Sequence, residues 1–296
     1  MYHLLLIFFK LVSYIPFRVL YVISDLLFYP LYFVVRYRRK IVRKNLTEPF
    51  PDKSLAEIKR IEKRFYHFFI DTSLESCKLL SISPEEIRRR VKFANVDKVN
   101  ALLHEGRSIS VFLGHYGNWE WISSTGLWLT KEALIVQIYH KLSNKTMGRL
   151  ILRLRERFGN KCIDMKHTAR FIASESKGDR PLIIGFIADQ SPKKREAKHF
   201  LDFLNHHVPV LTGTEKITKH YGYEAMFIGV KRIKRGYYEC EFSFLHDDPK
   251  TLPDFELTAL YYRRLEQEIL QQPELYLWSH NRFRHAERCL RPTNMQ

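Results

Sequence analysis

Two stretches of this 296-residue chain, residues 108–113 and 181–188, are largely apolar runs bounded by charged or glycine-containing segments. A strand without a polar side must be covered on both faces, the situation of a strand in a parallel sheet flanked by helices. The rest of the pattern agrees with this. Further strands are expected at 91–96, 134–139, 161–164, 225–231 and 237–244. Helical periodicity is expected at 54–80, 97–105, 145–158, 167–176, 212–220 and 255–270, with a short helix opening at Ser83-Pro84. Alternation of this kind predicts an α/β fold with a central, largely parallel sheet, whose site lies at the carboxyl ends of strands. No internal repeat, P-loop or Gly-x-Gly-x-x-Gly string occurs, so no nucleotide cofactor is expected.

Directly behind the first run stands Gly114-His115-Tyr116-Gly117-Asn118-Trp119-Glu120. On one continuous helix His115 and Glu120 would lie about 140° apart, on different faces. If a helix instead starts at Asn118, a favourable N-cap, Glu120 falls in its first turn and His115 in the preceding turn, and the two converge. A histidine held by a carboxylate is the minimum apparatus for removing a proton from a hydroxyl. The plainer alternative is a polar residue in a strand-to-helix turn and a carboxylate that complements a helix N-terminus. No activated nucleophile is evident, since Ser110 lies inside the strand and no Gly-x-Ser-x-Gly elbow occurs.

Residues 1–35 are dominated by Leu, Ile, Phe, Val and Tyr, interrupted by Lys10, Arg18 and Asp25, and are followed by six basic residues within 36–44. The apolar blocks are shorter than a clean membrane span. The combination is the pattern of a segment sunk into a membrane surface beside anionic headgroups, the basic side facing the cytoplasm. A buried N-terminal helix pair is the alternative. The expected division is therefore 1–45 as a membrane-associated segment with a basic flank and 46–296 as the catalytic domain. The formal charge of +17 calls for polyanionic partners without choosing between lipid, nucleic acid and an acidic protein. Its concentration beside an apolar segment, and the lack of a recognisable nucleic-acid-binding signature, disfavour nucleic acid. Cys77, Cys162, Cys240 and Cys289 are far apart and near no histidine pair, so neither a metal site nor a disulfide framework is expected.

The string from Gly114 to Glu120 resembles the His-x4-Asp/Glu motif of the glycerolipid and lysophospholipid acyltransferase superfamily, and looks most like its branch of late acyltransferases of lipid A biosynthesis. Pro273-Glu274-Leu275-Tyr276-Leu277-Trp278-Ser279-His280-Asn281-Arg282-Phe283-Arg284 resembles the ending of the same branch, and Ala188-Asp189-Gln190 fits between them. The resemblance implies transfer of a fatty acyl group from an acyl-carrier-protein or coenzyme A thioester to a hydroxyl of a lipid A precursor. His115 would be the general base and Glu120 would orient its ring. A lysophospholipid or amino-acid lipid acceptor is the nearer alternative, and a non-catalytic basic binder of lipid or nucleic acid the farther one. The implied co-substrate is the thioester itself, with no cofactor. The implied partners are the carrier protein or coenzyme A donor, an anionic lipid acceptor and the cytoplasmic face of a bacterial inner membrane.

Candidate substrate-binding residues are Gly117 and Asn118 in the turn, with Lys141, Asp189 and Arg282; the oxyanion would be met by backbone N–H groups of the Gly114 to Asn118 turn or by a cation. Asp189 would line the site or cap its loop, and Arg282 would pair with a phosphate or with a buried carboxylate. The chain departs from its relatives in three places. It carries Glu at the acidic position where much of the superfamily has Asp. It reads Tyr139-His140-Lys141 where an arginine commonly follows the tyrosine, and Asn205 stands where a glycine is usual.

Overall fold

The computed structural model describes residues 2–288, so Cys289 lies outside the described residues. In chain order the elements are α1 (Tyr2–Tyr14), α2 (Phe17–Tyr29), α3 (Arg39–Thr47), α4 (Leu55–Lys78), α5 (Pro84–Arg90), β1 (Val91–Ala94), α6 (Val96–His104) and β2 (Ile109–Leu113). There follow β3 (Leu134–Tyr139), α7 (Lys145–Arg155), β4 (Lys161–Asp164), α8 (Thr168–Glu175), β5 (Leu182–Ile187), β6 (His199–Phe203) and β7 (His206–Val210). The chain continues through α9 (Gly213–Tyr221), β8 (Glu224–Lys234), β9 (Tyr237–His246), α10 (Glu256–Gln271) and β10 (Glu287–Arg288). Helix α4 opens where the sequence asks it to: Ser54 accepts a hydrogen bond from the Glu57 backbone N–H, and Glu57 answers at the Ser54 N–H.

Seven strands form one sheet in the order β1-β9-β8-β2-β5-β3-β4, parallel throughout except for the β8–β9 hairpin. The fold is therefore α/β with a mostly parallel central sheet, as the apolar runs required. The run 108–113 supplies β2, every residue of which is buried, and 181–188 supplies β5 beside it. A second sheet of three antiparallel strands, β10-β7-β6, has no counterpart in the sequence reading. Its hairpin turns through Leu204 (φ 52°) and Asn205 (φ 61°), both left-handed, the geometry of a tight two-residue hairpin turn. Asn tolerates that region and Leu does not, so a Leu-Asn pair hides a turn that Asn-Gly would advertise. The same φ at Asn205 explains why glycine suits this position.

The N-terminal helices pack on α4 through a mixed polar and apolar face and leave a row of large apolar residues exposed. On α2, Leu20, Ser24 and Phe28 are buried: Ser24 Oγ donates to Asp71 Oδ1 (2.6 Å), Tyr21 Oη to Glu75 Oε1 (2.9 Å), and Arg235 bridges the half-exposed Asp25 (2.8 Å) to Asp71 (2.6 Å). Leu4, Ile7, Phe8 and Leu11 on α1, and Val19, Val22 and Leu26 on α2, face outward and are exposed. With the π-helical turn Pro30–Val35, α2 makes a continuous 19-residue helix long and apolar enough to cross a membrane by length and composition. Helix α3 ties the segment to the far end of the chain. Asn45 Nδ2 donates to the carbonyls of Trp278 (2.9 Å) and His280 (2.8 Å), and Arg38 to that of Ser279 (3.0 Å).

Candidate active site

His115 follows β2 by two residues, and Asp189 follows β5 by two residues. The strands are parallel neighbours in which Leu113 pairs with Ile187, so the two residues leave the sheet at the same level, one strand apart. Two adjacent tyrosines on α10 fix that level. Tyr261 Oη donates to the Leu113 carbonyl and Tyr262 Oη to the Ala188 carbonyl, both at 2.9 Å. Asp189 Oδ1 then accepts from the His115 backbone N–H (3.1 Å) and lies 2.7 Å from Nδ1 of the ring. Burial alone would push the Asp189 carboxyl up. The His115 ring, its hydrogen bonds and the nearby Arg282 charge outweigh burial and hold the carboxyl below its ordinary value. A carboxylate at Nδ1 places the ring proton there and leaves Nε2 with its lone pair outward. Gln190 Nε2 lies 3.2 Å from His115 Nε2, where an amide N–H donates to that lone pair. The ring remains 19% accessible while Asp189 is 2% accessible, so the imidazole faces the opening and its carboxylate partner is sealed.

The expectation that Glu120 orients the ring is corrected by this geometry. After Asn118 the chain enters a 3-10 helix, Trp121–Leu127, rather than an α-helix, and Glu120 is carried toward α7. There it receives Arg155 through two charge-assisted hydrogen bonds, Nε to Oε2 at 2.8 Å and Nη2 to Oε1 at 2.5 Å. Trp119, between the two motif residues, meets the His115 ring edge-on with centroids 5.4 Å apart. Trp119 and Arg155 also line a narrow apolar cavity under the turn, floored by Leu113, Ile187 and deeper residues of β2, β3 and β5. The Glu120–Arg155 pair thus fixes one residue of the cavity lining, Arg155, beside the turn.

The remaining turn residues are structural in this geometry. Asn118 is buried: its Nδ2 donates to Glu75 Oε2 (2.8 Å) and its Oδ1 accepts from the Trp121 N–H (3.2 Å), which consumes both ends of the amide. Glu75, fully enclosed, also receives Tyr238 (2.7 Å) and Tyr21. Gly117 has φ 64° and donates its N–H to the Leu275 carbonyl (3.0 Å), while the Leu277 N–H donates to the His115 carbonyl (3.0 Å). These bonds form an antiparallel bridge between Tyr116 and Tyr276. The N–H groups of His115 and Gly117 are therefore committed and are not free to meet an oxyanion. A Cβ on Gly117 would collide with Cγ1 of Val230. Gly117→Ala is accordingly expected to cost about 2–4 kcal/mol, from left-handed strain plus overpacking, measurable by urea denaturation. An unchanged midpoint would refute the packing account.

With that geometry in place, comparison with known proteins is direct. The sequence profile of the bacterial lipid A biosynthesis acyltransferase family matches residues 1–285. The chain belongs to this family. Among curated proteins it is similar to the lipid A biosynthesis palmitoleoyltransferase of Escherichia coli K12, 22% identical over 249 residues, covering 83% of this chain and 79% of that protein. A lipid A biosynthesis acyltransferase of Shigella flexneri aligns with the same identity and coverage.

In this acyltransferase Lys141 lies just past β3, at the same edge of the sheet as His115 but two strands along, and pairs with Asp164 Oδ2 at 3.1 Å. Arg282 is 1% exposed and donates to the Pro209 carbonyl (3.2 Å) and Tyr262 Oη (3.3 Å), so it reinforces the tyrosine that fixes Asp189. Gln190, Arg155 and His280 were not singled out from the sequence. Burial pushes the His280 imidazole down to about 4, so it is neutral at neutral pH. The spacing of the two apolar runs contained a usable signal for Asp189: aligning their ends as parallel neighbours puts His115 and Asp189 side by side. Arg155 sits in a basic run in which periodicity alone does not distinguish it.

Proposed function

We propose that this acyltransferase moves a fatty acyl group from an acyl-carrier-protein or coenzyme A thioester to a hydroxyl of a lipid A precursor, with His115 as general base. The observation that carries the reading is the His115–Asp189 pair, its Nε2 directed outward beside an apolar cavity suited to an acyl chain. The acceptor hydroxyl displaces Gln190 at Nε2 and gives up its proton to the ring. The oxygen attacks the thioester carbonyl carbon, a C–O bond forms, and the tetrahedral intermediate collapses with loss of the C–S bond. The imidazolium returns the proton to the departing thiolate, leaving an ester and a free thiol. Asp189 stabilises the transient charge on the ring.

Membrane association at the cytoplasmic face belongs to the same proposal. Because α1 and α2 pack along α4 on one side and expose a row of apolar residues on the other, the N-terminal segment suits a position within one leaflet rather than across the bilayer. The basic residues at 36–44 suit anionic headgroups. The test is acyl transfer by the full chain on vesicles that contain anionic lipid, followed by mass spectrometry of the lipids and titration of released thiol. Expected are one ester per thiol released on a lipid A precursor, and flotation of the protein with vesicles in high salt. Product only on lysophospholipid or amino lipid would move the acceptor assignment, and no product on any of them would sink the reaction. A protein that high salt strips from vesicles is not embedded.

A further inference from the structure

Gly185 is the residue that neither the fold nor its packing explains. It lies in the middle of β5, between β2 and β3, where a glycine weakens a strand and supplies no side chain to pack. Its backbone is not in the left-handed region, and a Cβ built there would have its nearest neighbours, Leu113 Cδ2 and the Val136 carbonyl oxygen, at 3.8 Å, ordinary contact distance. The absent side chain therefore leaves room. That room belongs to the apolar cavity, of which Gly185 is a lining residue, and Gly185 is only partly buried despite its central strand.

Strand register gives the cavity floor a scale. Val111, Gly185 and Gln137 pair across β2, β5 and β3 and form one row. Leu113 and Ile187 form the row nearer His115, and Ile183 and Ile135 the row farther away. All seven residues line the cavity. At about 3.3 Å per residue, successive rows on one face are about 7 Å apart, which puts the Gly185 row about 13 Å and the Ile183 row about 20 Å along the strands from His115. An acyl chain whose carbonyl sits at His115 must cross the Gly185 row to reach the last one.

We infer that Gly185 sets the acyl-chain length this enzyme accepts: the missing side chain opens the middle row, and Ile183 with Ile135 closes the end. This rests on the acyl-transfer reading above and goes beyond it by naming the gate. Two methyl groups at position 185 obstruct the passage, whereas truncation at 183 deepens it.

The experiment sets acyl-carrier-protein thioesters of graded chain length in competition for a lipid A precursor, with full-length wild type, Gly185→Val and Ile183→Ala. Gly185→Val is expected to lower the long-to-short ratio of kcat/KM by about tenfold or more, the scale of one methylene in a fitted pocket, while it retains short-chain transfer. Ile183→Ala should move the preference toward longer chains. Should Gly185→Val fail to fold cooperatively, Gly185→Ala, whose single methyl meets only ordinary contacts, takes its place with a smaller shift in the same direction. A folded position-185 variant with the wild-type length profile overturns the inference and leaves the transfer reaction standing. Wild type without transfer to any acceptor refutes the reaction instead. Displacement of a fluorescent fatty acid by fatty acids of graded length then reads the cavity without chemistry, and identical lengths bound by wild type and Gly185→Val overturn the inference there too.

Discussion

Asp189→Asn is expected to lower kcat/KM for acyl transfer by about 10² to 10⁴ with little change in thermal stability, and to do so more severely than Glu120→Gln. The reason is tautomeric. Asp189 Oδ1 accepts from the ring at Nδ1 and from the His115 backbone N–H, so the ring proton is held at Nδ1 and the basic lone pair at Nε2. An asparagine can keep the backbone contact with its oxygen while it presents an N–H to the ring, which favours the opposite tautomer and puts the proton where the substrate hydroxyl must deliver one. Loss of a carboxylate behind a catalytic histidine costs on the order of 10⁴ when this happens. Glu120→Gln weakens a charge-assisted pair with Arg155 at the cavity wall, and its effect should fall chiefly on KM for the acyl donor. The reverse order, with Glu120→Gln crippling kcat and Asp189→Asn near wild type, would return the orienting role to Glu120.

His115→Ala is the second large effect. Removal of a general base costs about 10² to 10⁴, and no neighbouring group is placed to replace it. His280 is neutral at neutral pH but packed in the C-terminal motif, and its Nδ1 is enclosed without a hydrogen-bond partner among the described residues. Ser110 is fully buried within β2. The variant should still bind the acyl donor, because the cavity walls are formed by Trp119, Arg155 and the sheet rather than by the imidazole. A comparison of donor binding with turnover separates the two contributions. If turnover persisted within a few-fold of wild type, proton removal by His115 would be excluded.

Much of the architecture could be read from the sequence because buried parallel strands write themselves as apolar runs, and β2 and β5 begin and end within a residue or two of those runs. The motif histidine was legible for the same reason: it stands where such a strand ends. Its partner was harder, since Asp189 is distant in sequence and approaches through inter-strand register rather than local spacing. The carboxylate nearest in sequence, Glu120, drew the role. Asn118 and Arg282 carried polar chemistry that invited a ligand, but their direction is decided by packing: Asn118 points into the buried carboxylate of Glu75, and Arg282 under α10. The β6–β7 hairpin escaped because its turn uses Leu204, a residue that gives no local turn signal.

The bridge between Tyr116 and Tyr276 also sets an order of events during synthesis. A ribosome that has released residues 1–120 has delivered the N-terminal helices and completed the motif, yet the turn around His115 lacks the segment at 275–277 that holds it. Tyr261 and Tyr262, which register the ends of β2 and β5, emerge only shortly before that segment. On the reading proposed above, the N-terminal segment would be available to lipid long before the His115 turn is held in place, and a chain truncated ahead of Pro273 would lack the segment that holds it.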